Sequence, residues 1–388
     1  MFRIGQEEIN AVTRVIESKQ LFKVNGGPLQ ECAHLREELQ QAFGTEHAIV
    51  MTSGHAALIS GLIGMGIGPG DEVIVPGYTY IATAMAVVAA GAMPVIAEIN
   101  ETLTLDVADV ERKITSRTKA VIPVHIMGFP TDMKGLMELA EKYNIMVLED
   151  ACQADGGKFG GKRLGTIGDV GALSFNYYKL ITCGEGGALF TDDHTIYERA
   201  LIYHDSSAVA FFGDQLSDVQ TPVFCGQEFR TNEIQASILR VQLGRMDGII
   251  ADNHKNRNKL IEALDGKFKI APSNDWEGDC ATTLALQFDT EEEARKVKAI
   301  VGGTIPLDTG KHVYPNWTAI MEKRGALHPA MDPFKMEANK DIVPDYKADM
   351  CPKTLDILGR TLYVPIHPDM TEEEITQKAA DLKAALEA

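Results

Sequence analysis

The sequence predicts an α/β protein with a mostly parallel sheet of the seven-stranded type and helices on both faces. Short apolar runs such as 72–75, 93–99 and 120–125 alternate with segments of helical periodicity over the first half of the chain. Strands and helices that alternate at this spacing are typical of parallel β-α units. Towards the C-terminal end the predicted strands are fewer and shorter, which indicates a smaller α+β domain.

Each element has its own signal. Helices are predicted where apolar residues recur every three or four positions, as they do from Ile9 to Ile16, and strands where apolar runs are bounded by turn residues. In chain order these signals give helices 6–18 and 29–43, strand 47–51, a helix from about residue 55, strand 72–75, a helix through Met85 and Val88, strand 93–99, helix 107–114, strand 120–125, helix 134–143, strand 145–150, strand 187–191, helices 194–203 and 232–264, strand 282–288, helix 290–301, strand 303–306 and helix 371–386.

The domain organisation follows from this order. We expect a large domain of residues 1–250, whose segment 1–25 packs on the other domain, and a small domain of residues 251–388, with the helix 232–264 as the bridge. The connection 206–227 is long and aperiodic, and it contains Phe211, Phe212 and Phe224. Apolar residues in such a loop favour burial against a partner subunit.

Composition limits the class of function. The 388 residues include 37 Lys and Arg against 55 Asp and Glu, a net charge of −18, which argues against nucleic acid or an anionic membrane as a partner. No run of eighteen apolar residues occurs, and the six cysteines lack the spacing of a zinc site or a disulfide framework, so no metal is expected. We expect a soluble, cytoplasmic enzyme.

Residues 148–188 carry the chemistry, and their residue types suit pyridoxal phosphate. Asp150 ends a buried strand, and a carboxylate 4 Å from a pyridine nitrogen contributes about 4 kcal/mol, roughly three pKa units, which keeps the ring protonated. Lys179 forms the Schiff base with the cofactor aldehyde and then acts as the base that moves the proton. The hydroxyl of Ser174 serves the phosphate. Taken singly, an Asp after a strand is more often a helix cap and a Lys among apolar residues a surface side chain.

Two further segments supply cofactor contacts. The turn T-S-G-H-A-A-L follows the strand 47–51 and opens a helix, so Gly54 and His55 are expected at the phosphate. The alternative for His55 is an ordinary residue of a helix N-terminus. The loop G-Y-T-Y carries two tyrosines, of which Tyr80 is expected to stack on the cofactor ring, with core packing as the alternative.

Together these motifs resemble the DegT/DnrJ/EryC1/StrS family of sugar aminotransferases, in the fold-type-I class of pyridoxal phosphate enzymes. The similarity runs nearly end to end and includes G-P-G-D-E-V-I-V-P, E-D-A-C-Q-A, G-T-I-G-D-V-G, the segment S-F-N-Y-Y-K followed by G-E-G-G, and Y-V-P-I-H-P-D-M-T-E-E-E-I. The resemblance implies Lys179 as the Schiff-base lysine, Asp150 at the pyridine nitrogen and Gln153 near the phenolic oxygen. It also implies a homodimer with shared active sites.

The sequence departs from the family pattern at two positions. His55 stands where the family has threonine, and an imidazole can also donate to a phosphate. Glu228 stands where the family has an asparagine that reaches the neighbouring subunit's phosphate, and a carboxylate there repels a phosphate. We expect Glu228 to turn away and meet Arg230, with Asn232 as a substitute donor if it does not. Arg230 either binds the carboxylate of the amino donor or forms an ion pair with Glu228 or Glu233.

The sequence therefore predicts an aminotransferase that moves an amino group from glutamate or glutamine to a keto or aldehyde carbon of a sugar or cyclitol, by a ping-pong route through pyridoxamine phosphate and an external aldimine. Lys179 favours transamination, because dehydratases that resemble the family carry histidine there. His312, Tyr314 and Trp317 are candidate acceptor contacts, with core packing as the alternative. Two other hypotheses stay open: an octulosonate-type 8-amino sugar transaminase, and a non-catalytic regulator that binds the cofactor without turnover.

Overall fold

Seven mostly apolar runs form one sheet, because strands covered on both faces expose few polar side chains. The computed structural model describes residues 3–24, 27–209 and 219–387. A short hairpin supplies β6 (Lys158–Phe159) and β7 (Lys162–Arg163). The seven strands of the sheet are β1 (His47–Met51), β2 (Glu72–Pro76), β3 (Met93–Ala97), β4 (Thr118–Val121), β5 (Met146–Asp150), β8 (Val170–Ser174) and β9 (Gly187–Thr191).

The strand order is β1-β9-β8-β5-β4-β2-β3. Strand β9 is antiparallel to both of its neighbours, and the other pairs are parallel. The carboxyl ends of β1, β8, β5, β4 and β2 therefore meet at one edge together with the amino end of β9. Ligands of open α/β sheets bind at this kind of edge. The predicted mostly parallel sheet is confirmed.

Helices cover both faces of the sheet. The described helices are α1 (Gln6–Ser18), α2 (Glu31–Phe43), α3 (Gly54–Gly64), α4 (Ala82–Ala89), α5 (Val107–Lys113), α6 (Met133–Tyr143), α7 (His194–His204), α8 (Glu233–Leu264), α9 (Glu291–Val301), α10 (Thr318–Met321), α11 (Pro352–Gly359) and α12 (Glu372–Glu387). Along β2, Val73 and Val75 pack into the cluster formed with α3 and α4, whereas Ile74 packs against α5 and α6 on the other face. This alternation is the period of two that a strand imposes.

The C-terminal part of the chain forms an antiparallel sheet of β10 (Lys269–Ile270), β11 (Thr283–Gln287) and β12 (Thr361–Pro365). The strand expected at 303–306 is wrong, because that segment makes a single bridge from Thr304 to Tyr363 and then enters a 3-10 turn. Gly302 and Gly303 have φ values of 75° and 90°, outside the extended region. The third strand of this sheet is β12, which the sequence patterns did not predict.

The predicted domain boundary at residue 250 falls inside α8, a continuous helix of 32 residues. At the N-terminus, Arg3 forms salt bridges of 2.7 Å with Asp252 on α8 and with Asp369 near the C-terminus. Trp317 and Phe334 pack into the same apolar cluster as α3 and α4. We keep the division into residues 1–250 and 251–388 as a proposal.

The predicted connection 206–227 is described only in part. Phe211 and Phe212 lie outside the described residues, so the expectation placed on them stays a prediction. In the described part, residues 219–227 contain no helix or strand, Phe224 packs against the core and Val223 is 48% exposed. Of the helices in the described ranges, none has both the length and the apolarity that a bilayer span requires.

Candidate active site

Asp150 is fixed at the sheet edge by a buried hydrogen-bond network. Its side chain is buried, with Oδ2 accepting from Thr83 Oγ1 at 2.7 Å and Oδ1 accepting from the Cys152 amide at 3.2 Å. Thr83 is held in turn by Thr79, with 2.7 Å between the two hydroxyl oxygens. These contacts set the direction of the carboxylate while leaving acceptor capacity on its oxygens. Asp150 can therefore pair with a cationic ring nitrogen placed at this edge.

The residue before Asp150 holds the loop beneath the edge. Glu149 is fully buried and accepts hydrogen bonds from the amides of Gly165, Ile167 and Gly168 at 2.5 to 2.9 Å. His125 Nε2 lies 3.0 Å from the same carboxylate. Since successive side chains of a strand point to opposite faces, Glu149 serves structure while Asp150 faces the site.

The turn between β1 and α3 packs against the end of β8. Ser53 caps α3, with Oγ accepting from the Ala56 amide at 3.1 Å. A Cβ atom on Gly54 would lie 2.6 Å from Cys152 Sγ and 2.8 Å from Ser174 Cβ. Glycine is therefore required at position 54. The close approach brings the first-turn amides of α3 beside the Ser174 hydroxyl, as a phosphate site needs.

Strand β9 closes this corner from the other side. A Cβ atom on Gly187 would lie 2.3 Å from the carbonyl carbon of Ser53 and 2.6 Å from the Gly54 amide nitrogen. The backbone of β9 thus runs directly beneath the turn. Gly187, the last residue of the segment G-E-G-G, is the glycine that this contact requires.

His55 lies in the first turn of α3, where its imidazole contacts the neighbouring helix. Nδ1 lies 3.2 Å from the carbonyl oxygen of Ala82 on α4, and burial lowers the pKa of the imidazole. When Nδ1 donates to this carbonyl, a neutral ring has only an acceptor at Nε2. The His55 amide is then the group that can donate to a phosphate, and the role of His55 at the phosphate stays a prediction.

Lys179 lies in the turn after β8, where its amide donates to the Asn176 carbonyl at 2.9 Å. It follows the end of β8, and the carboxyl end of β8 lies beside the carboxyl end of β5 in the sheet. The structure thus brings Lys179 to the same edge as Asp150. The sequence predicted which residue types the site contains, and the order of the strands in the sheet explains why these two residues lie at the same edge.

Gln153 and Tyr80 flank this edge. Gln153 Oε1 accepts from the Met127 amide at 3.1 Å, which leaves the side-chain NH2 group as a donor towards a phenolic oxygen. Tyr80 is 40% exposed, so its ring is open to a ligand. Lys311 Nζ lies 5.0 Å from the centroid of that ring, and the His312 ring lies 5.6 Å from it.

The segment around His312 is held by backbone pairing with the tyrosine loop. The Thr79 amide donates to the His312 carbonyl at 2.9 Å, and the Ile81 amide donates to the Lys311 carbonyl at 3.1 Å. Burial lowers the pKa of the His312 imidazole. His312 therefore lies beside Tyr80, and its role as an acceptor contact stays a prediction.

Tyr314 and Trp317 are corrections to the predicted acceptor site. Both are fully buried in the core cluster beside α3 and α4. The Tyr314 hydroxyl donates to the Ala348 carbonyl at 2.6 Å, and Trp317 Nε1 donates to the Lys311 carbonyl at 3.0 Å. The polar atoms of both side chains form hydrogen bonds within the protein, which agrees with the core-packing alternative. Their packing holds the segment that carries Lys311 in place.

Glu228 turns away and meets Arg230, as expected. Glu228 Oε2 lies 2.5 Å from Arg230 Nη2, and the other guanidinium nitrogen pairs with the buried Asp205. The ion-pair alternative for Arg230 is thus the arrangement in the structure. Asn232 caps α8 by accepting from the Gln235 amide at 3.1 Å. These contacts leave the donor-binding role of Arg230 without support.

Three residues of this edge were not singled out in the sequence: Thr83, Lys311 and Asp155. Thr83 follows Tyr80 by three positions in an apolar helix, where a threonine has no distinguishing pattern. Lys311 directly precedes the predicted contact residue His312, so its position in the sequence could have identified it as a further candidate. The side chain of Asp155, two residues after Gln153, is buried at 1% exposure, which a polar stretch such as A-D-G-G does not indicate.

Known proteins resemble the whole chain. The model of the DegT/DnrJ/EryC1/StrS aminotransferase family matches residues 3–383. The dTDP-3-amino-3,4,6-trideoxy-alpha-D-glucose transaminase of Streptomyces venezuelae is 39% identical over 239 residues. This match covers 61% of this chain and 60% of that protein, which is less than two thirds of its length. The UDP-N-acetyl-3-dehydro-alpha-D-glucosamine 3-aminotransferase of Acidithiobacillus ferrooxidans is 31% identical over an alignment of 396 positions that covers 99% of this chain and 95% of that protein.

Solved structures share the fold. The aminotransferase from Psychrobacter cryohalolentis superposes with a TM-score of 0.80 at 27% identity, covering 99% of this chain and 98% of that one. Because the superposition covers nearly the whole chain, the similarity includes both the seven-stranded sheet and the C-terminal part.

Gly54→Ala tests the packing of the phosphate turn. Because the new methyl group meets Cys152 and Ser174, the variant should lose about 1–3 kcal/mol in the free energy of unfolding and bind pyridoxal phosphate at least about tenfold more weakly. Urea unfolding and a cofactor titration measure the two effects. The matched control is Gly244→Ala, a helical position where an added Cβ meets no atom within 4 Å. It should be neutral or slightly stabilising, and equal behaviour of the two variants would contradict the packing argument.

Proposed function

Because the chain belongs to the DegT/DnrJ/EryC1/StrS aminotransferase family, we propose that it transfers an amino group from glutamate or glutamine to a keto or aldehyde carbon of an anionic sugar. The protein is a transaminase whose cofactor is pyridoxal phosphate, and its acceptor class is a sugar. The observation that carries the proposal is the convergence of Lys179, Asp150 and the Gly54 turn at one edge of the sheet.

The residues at this edge fit the cofactor at each of its polar groups. The turn at Gly54 and the Ser174 hydroxyl offer donors to a phosphate, and the Gln153 NH2 group is left free for a phenolic oxygen. Asp150 keeps acceptor capacity for a protonated ring nitrogen, and Tyr80 is open for stacking. The lack of a Cβ atom at position 54 lets the turn pack against Cys152 and Ser174, which brings the start of α3 to the end of β8.

The chain's own residues divide the work of transamination. Pyridoxal phosphate, when bound, supplies a ring that accepts the electron pair of the reacting carbon. Asp150 would pair with the protonated ring nitrogen, and Thr83 keeps that carboxylate in place. Lys179 would hold the cofactor through its Nζ atom, and the same atom, when free, would accept and return the proton that transamination moves. Two half-reactions on one site favour ping-pong kinetics.

We propose that a second copy of the chain covers the site. Tyr177 and Tyr178, which directly precede Lys179, are 58% and 74% exposed, and Phe22 is 45% exposed. Large aromatic side chains exposed beside a catalytic residue are typical of a subunit interface. Arg230, whose guanidinium lies 5.4 Å from the Phe22 ring centroid, belongs to the same region, so the ion pair between Glu228 and Arg230 stabilises this surface.

The acceptor side of the site is positively charged. Lys311 is exposed over the Tyr80 ring, and His312 adjoins it. An ammonium at the mouth of a site attracts a carboxylate or phosphate on the incoming molecule. Both the nucleotide-linked sugars named for the relatives and an octulosonate carry such a group, so both belong to the proposed class of acceptor. The charge of Glu228 is paired with Arg230, so this departure from the family pattern gives no support to the regulator hypothesis.

The first half-reaction tests the proposal. Purified protein loaded with pyridoxal phosphate should change to the absorption of pyridoxamine phosphate when glutamate or glutamine is added, with release of one 2-oxo acid per site. Lys179→Ala should convert at least about 100-fold more slowly, because it lacks the proton-transferring amine. Lys162→Ala, at an exposed position of the β6–β7 hairpin, is the matched control and should behave as the wild type. A bound cofactor that neither donor converts would favour the regulator instead.

Lys311→Gln tests the charge of the acceptor. The variant should raise the KM for an anionic keto sugar by about tenfold, since a charge-assisted contact contributes about 1.5–3 kcal/mol when fully formed and less when exposed. The rate of the glutamate half-reaction at saturating glutamate should be unchanged, because Lys311 has no proposed role in the chemical step. Lys296→Gln, on the exposed face of α9, is the control. Unchanged KM values for UDP-linked, dTDP-linked and octulosonate acceptors would exclude Lys311 from acceptor binding.

A further inference from the structure

Met127 has a backbone conformation that residues with a side chain rarely adopt. It lies in the turn between β4 and α6, with φ 52° and ψ 21°, in the left-handed region. A residue other than glycine is strained there and keeps this conformation only where its surroundings hold it. Such residues concentrate at functional sites, and Met127 contacts Gln153, a proposed cofactor contact.

Side chains bind both polar groups of the Met127 backbone. The Met127 amide donates to Gln153 Oε1 at 3.1 Å, and the Met127 carbonyl accepts from the Thr282 hydroxyl at 2.7 Å. Because a backbone amide can only donate, the carbonyl end of the Gln153 side chain faces Met127, and the NH2 end is left for another acceptor. The Met127 backbone therefore determines which way the Gln153 amide group points.

Thr282 belongs to a segment of the C-terminal part that packs against this turn. The segment 280–282 leads into β11, and the Cys280 amide donates to the Gly128 carbonyl at 3.2 Å. Gly128 has a φ of 85°, and a Cβ atom there would lie 2.6 Å from Cys280 Cβ. Thr282 itself is buried. Two consecutive residues of the turn are thus held by one short segment.

A buried ion pair anchors that segment to α8. Arg257 Nη1 lies 2.6 and 2.5 Å from the two carboxyl oxygens of Asp279, and both residues are fully buried. Asp279 Oδ1 also accepts from the Ala281 amide at 3.1 Å. Since breaking a buried pair of this kind is strongly destabilising, the segment gives the Thr282 hydroxyl a fixed position.

We propose that Thr282 is a positioning residue for Gln153. Its hydroxyl holds the Met127 carbonyl and so keeps the Met127 backbone in the left-handed region. The Met127 amide in turn holds the Gln153 oxygen, which directs the Gln153 NH2 group to the phenolic oxygen of the bound cofactor. This last step rests on the proposed function, whereas the coupling between Thr282 and Gln153 does not require it.

The coupling is tested in cofactor-free protein by hydrogen exchange of the Met127 amide, resolved by fragmentation mass spectrometry. Gln153→Ala removes the acceptor of this amide and should speed its exchange at least about tenfold. Thr282→Val removes the hydroxyl at nearly constant volume and should speed the same exchange at least about threefold, because the Met127 carbonyl is no longer held. Thr282→Ser keeps the hydroxyl and should exchange as the wild type.

Thr361→Val is the matched control, because the buried Thr361 hydroxyl also donates to a backbone carbonyl, that of Ile357, at 2.6 Å. It should leave Met127 exchange unchanged. If Thr282→Val does not fold, Thr282→Ala removes the same hydroxyl without placing a methyl group against the Met127 carbonyl. Wild-type exchange of Met127 in a folded variant without the Thr282 hydroxyl, or equal acceleration by Thr361→Val, would overturn the proposal.

The loaded protein gives a second readout, the pH at which the visible absorption of bound pyridoxal phosphate changes. A hydrogen bond donated to the phenolic oxygen stabilises its anionic form, so loss of that donor should move the midpoint to higher pH. Gln153→Ala should raise the midpoint by about one pH unit and Thr282→Val by about half a unit. The double variant should match Gln153→Ala, because both changes act on one contact, and additive shifts would contradict the coupling.

Gln153→Glu separates the two ends of this side chain. A carboxylate still accepts from the Met127 amide but cannot donate to the phenolic oxygen, so Met127 exchange should stay as in the wild type while the midpoint rises. A midpoint unchanged in Gln153→Ala would overturn the proposed contact. None of these measurements uses an amino donor, so a protein that shows the expected exchange and midpoints but does not convert glutamate or glutamine would reject the transaminase proposal alone.

Discussion

The structure depends on a buried carboxylate that is not itself in the active site. Glu149 accepts hydrogen bonds from three amides of the loop 165–168 and contacts His125, at zero exposure. Hydrogen bonds to a charged group contribute about 1.5–3 kcal/mol each, and leaving such a group unpaired costs more. Because Glu149 and Asp150 are consecutive on a strand, fixing one side chain beneath the sheet fixes the other above it. Glu149 thus stabilises the loop on one face of β5, while Asp150 lies on the other face, where we propose the cofactor binds.

The second constraint is the absence of side chains where backbones meet. Gly54 and Gly187 allow the turn after β1, the end of β8 and the start of β9 to pack so closely that an added Cβ atom at either position would clash with its neighbours. The resulting corner presents amides and a hydroxyl together, while Lys179 enters from the adjoining turn. The polar groups that we propose for cofactor binding therefore lie at strand ends and helix caps, whereas the proposed acceptor contacts lie in a long irregular segment.

The sequence was sufficient for whatever depends on local pattern. The strands that end at Met51 and Asp150, the helix 6–18 and the β-α alternation are as expected, because apolar periodicity and turn residues determine them. It was insufficient where pairing between distant segments decides. Residues 311–314 pair with the loop 77–81, and this turns Trp317 into the core and Lys311 towards Tyr80. No periodicity distinguishes these orientations. The same holds for β12, whose assignment depends on its partner β11.

We propose that pyridoxal phosphate is attached to Lys179. Borohydride reduction of the cofactor-loaded protein fixes the cofactor to its lysine, and peptide mapping by mass spectrometry then identifies the position. We expect one phosphopyridoxyl group per chain, on the peptide that contains Lys179, and loss of that label when glutamate is added before the reductant. A label on another lysine, such as Lys311 near the Tyr80 ring, or a label at Lys179 that no amino donor removes, would contradict it.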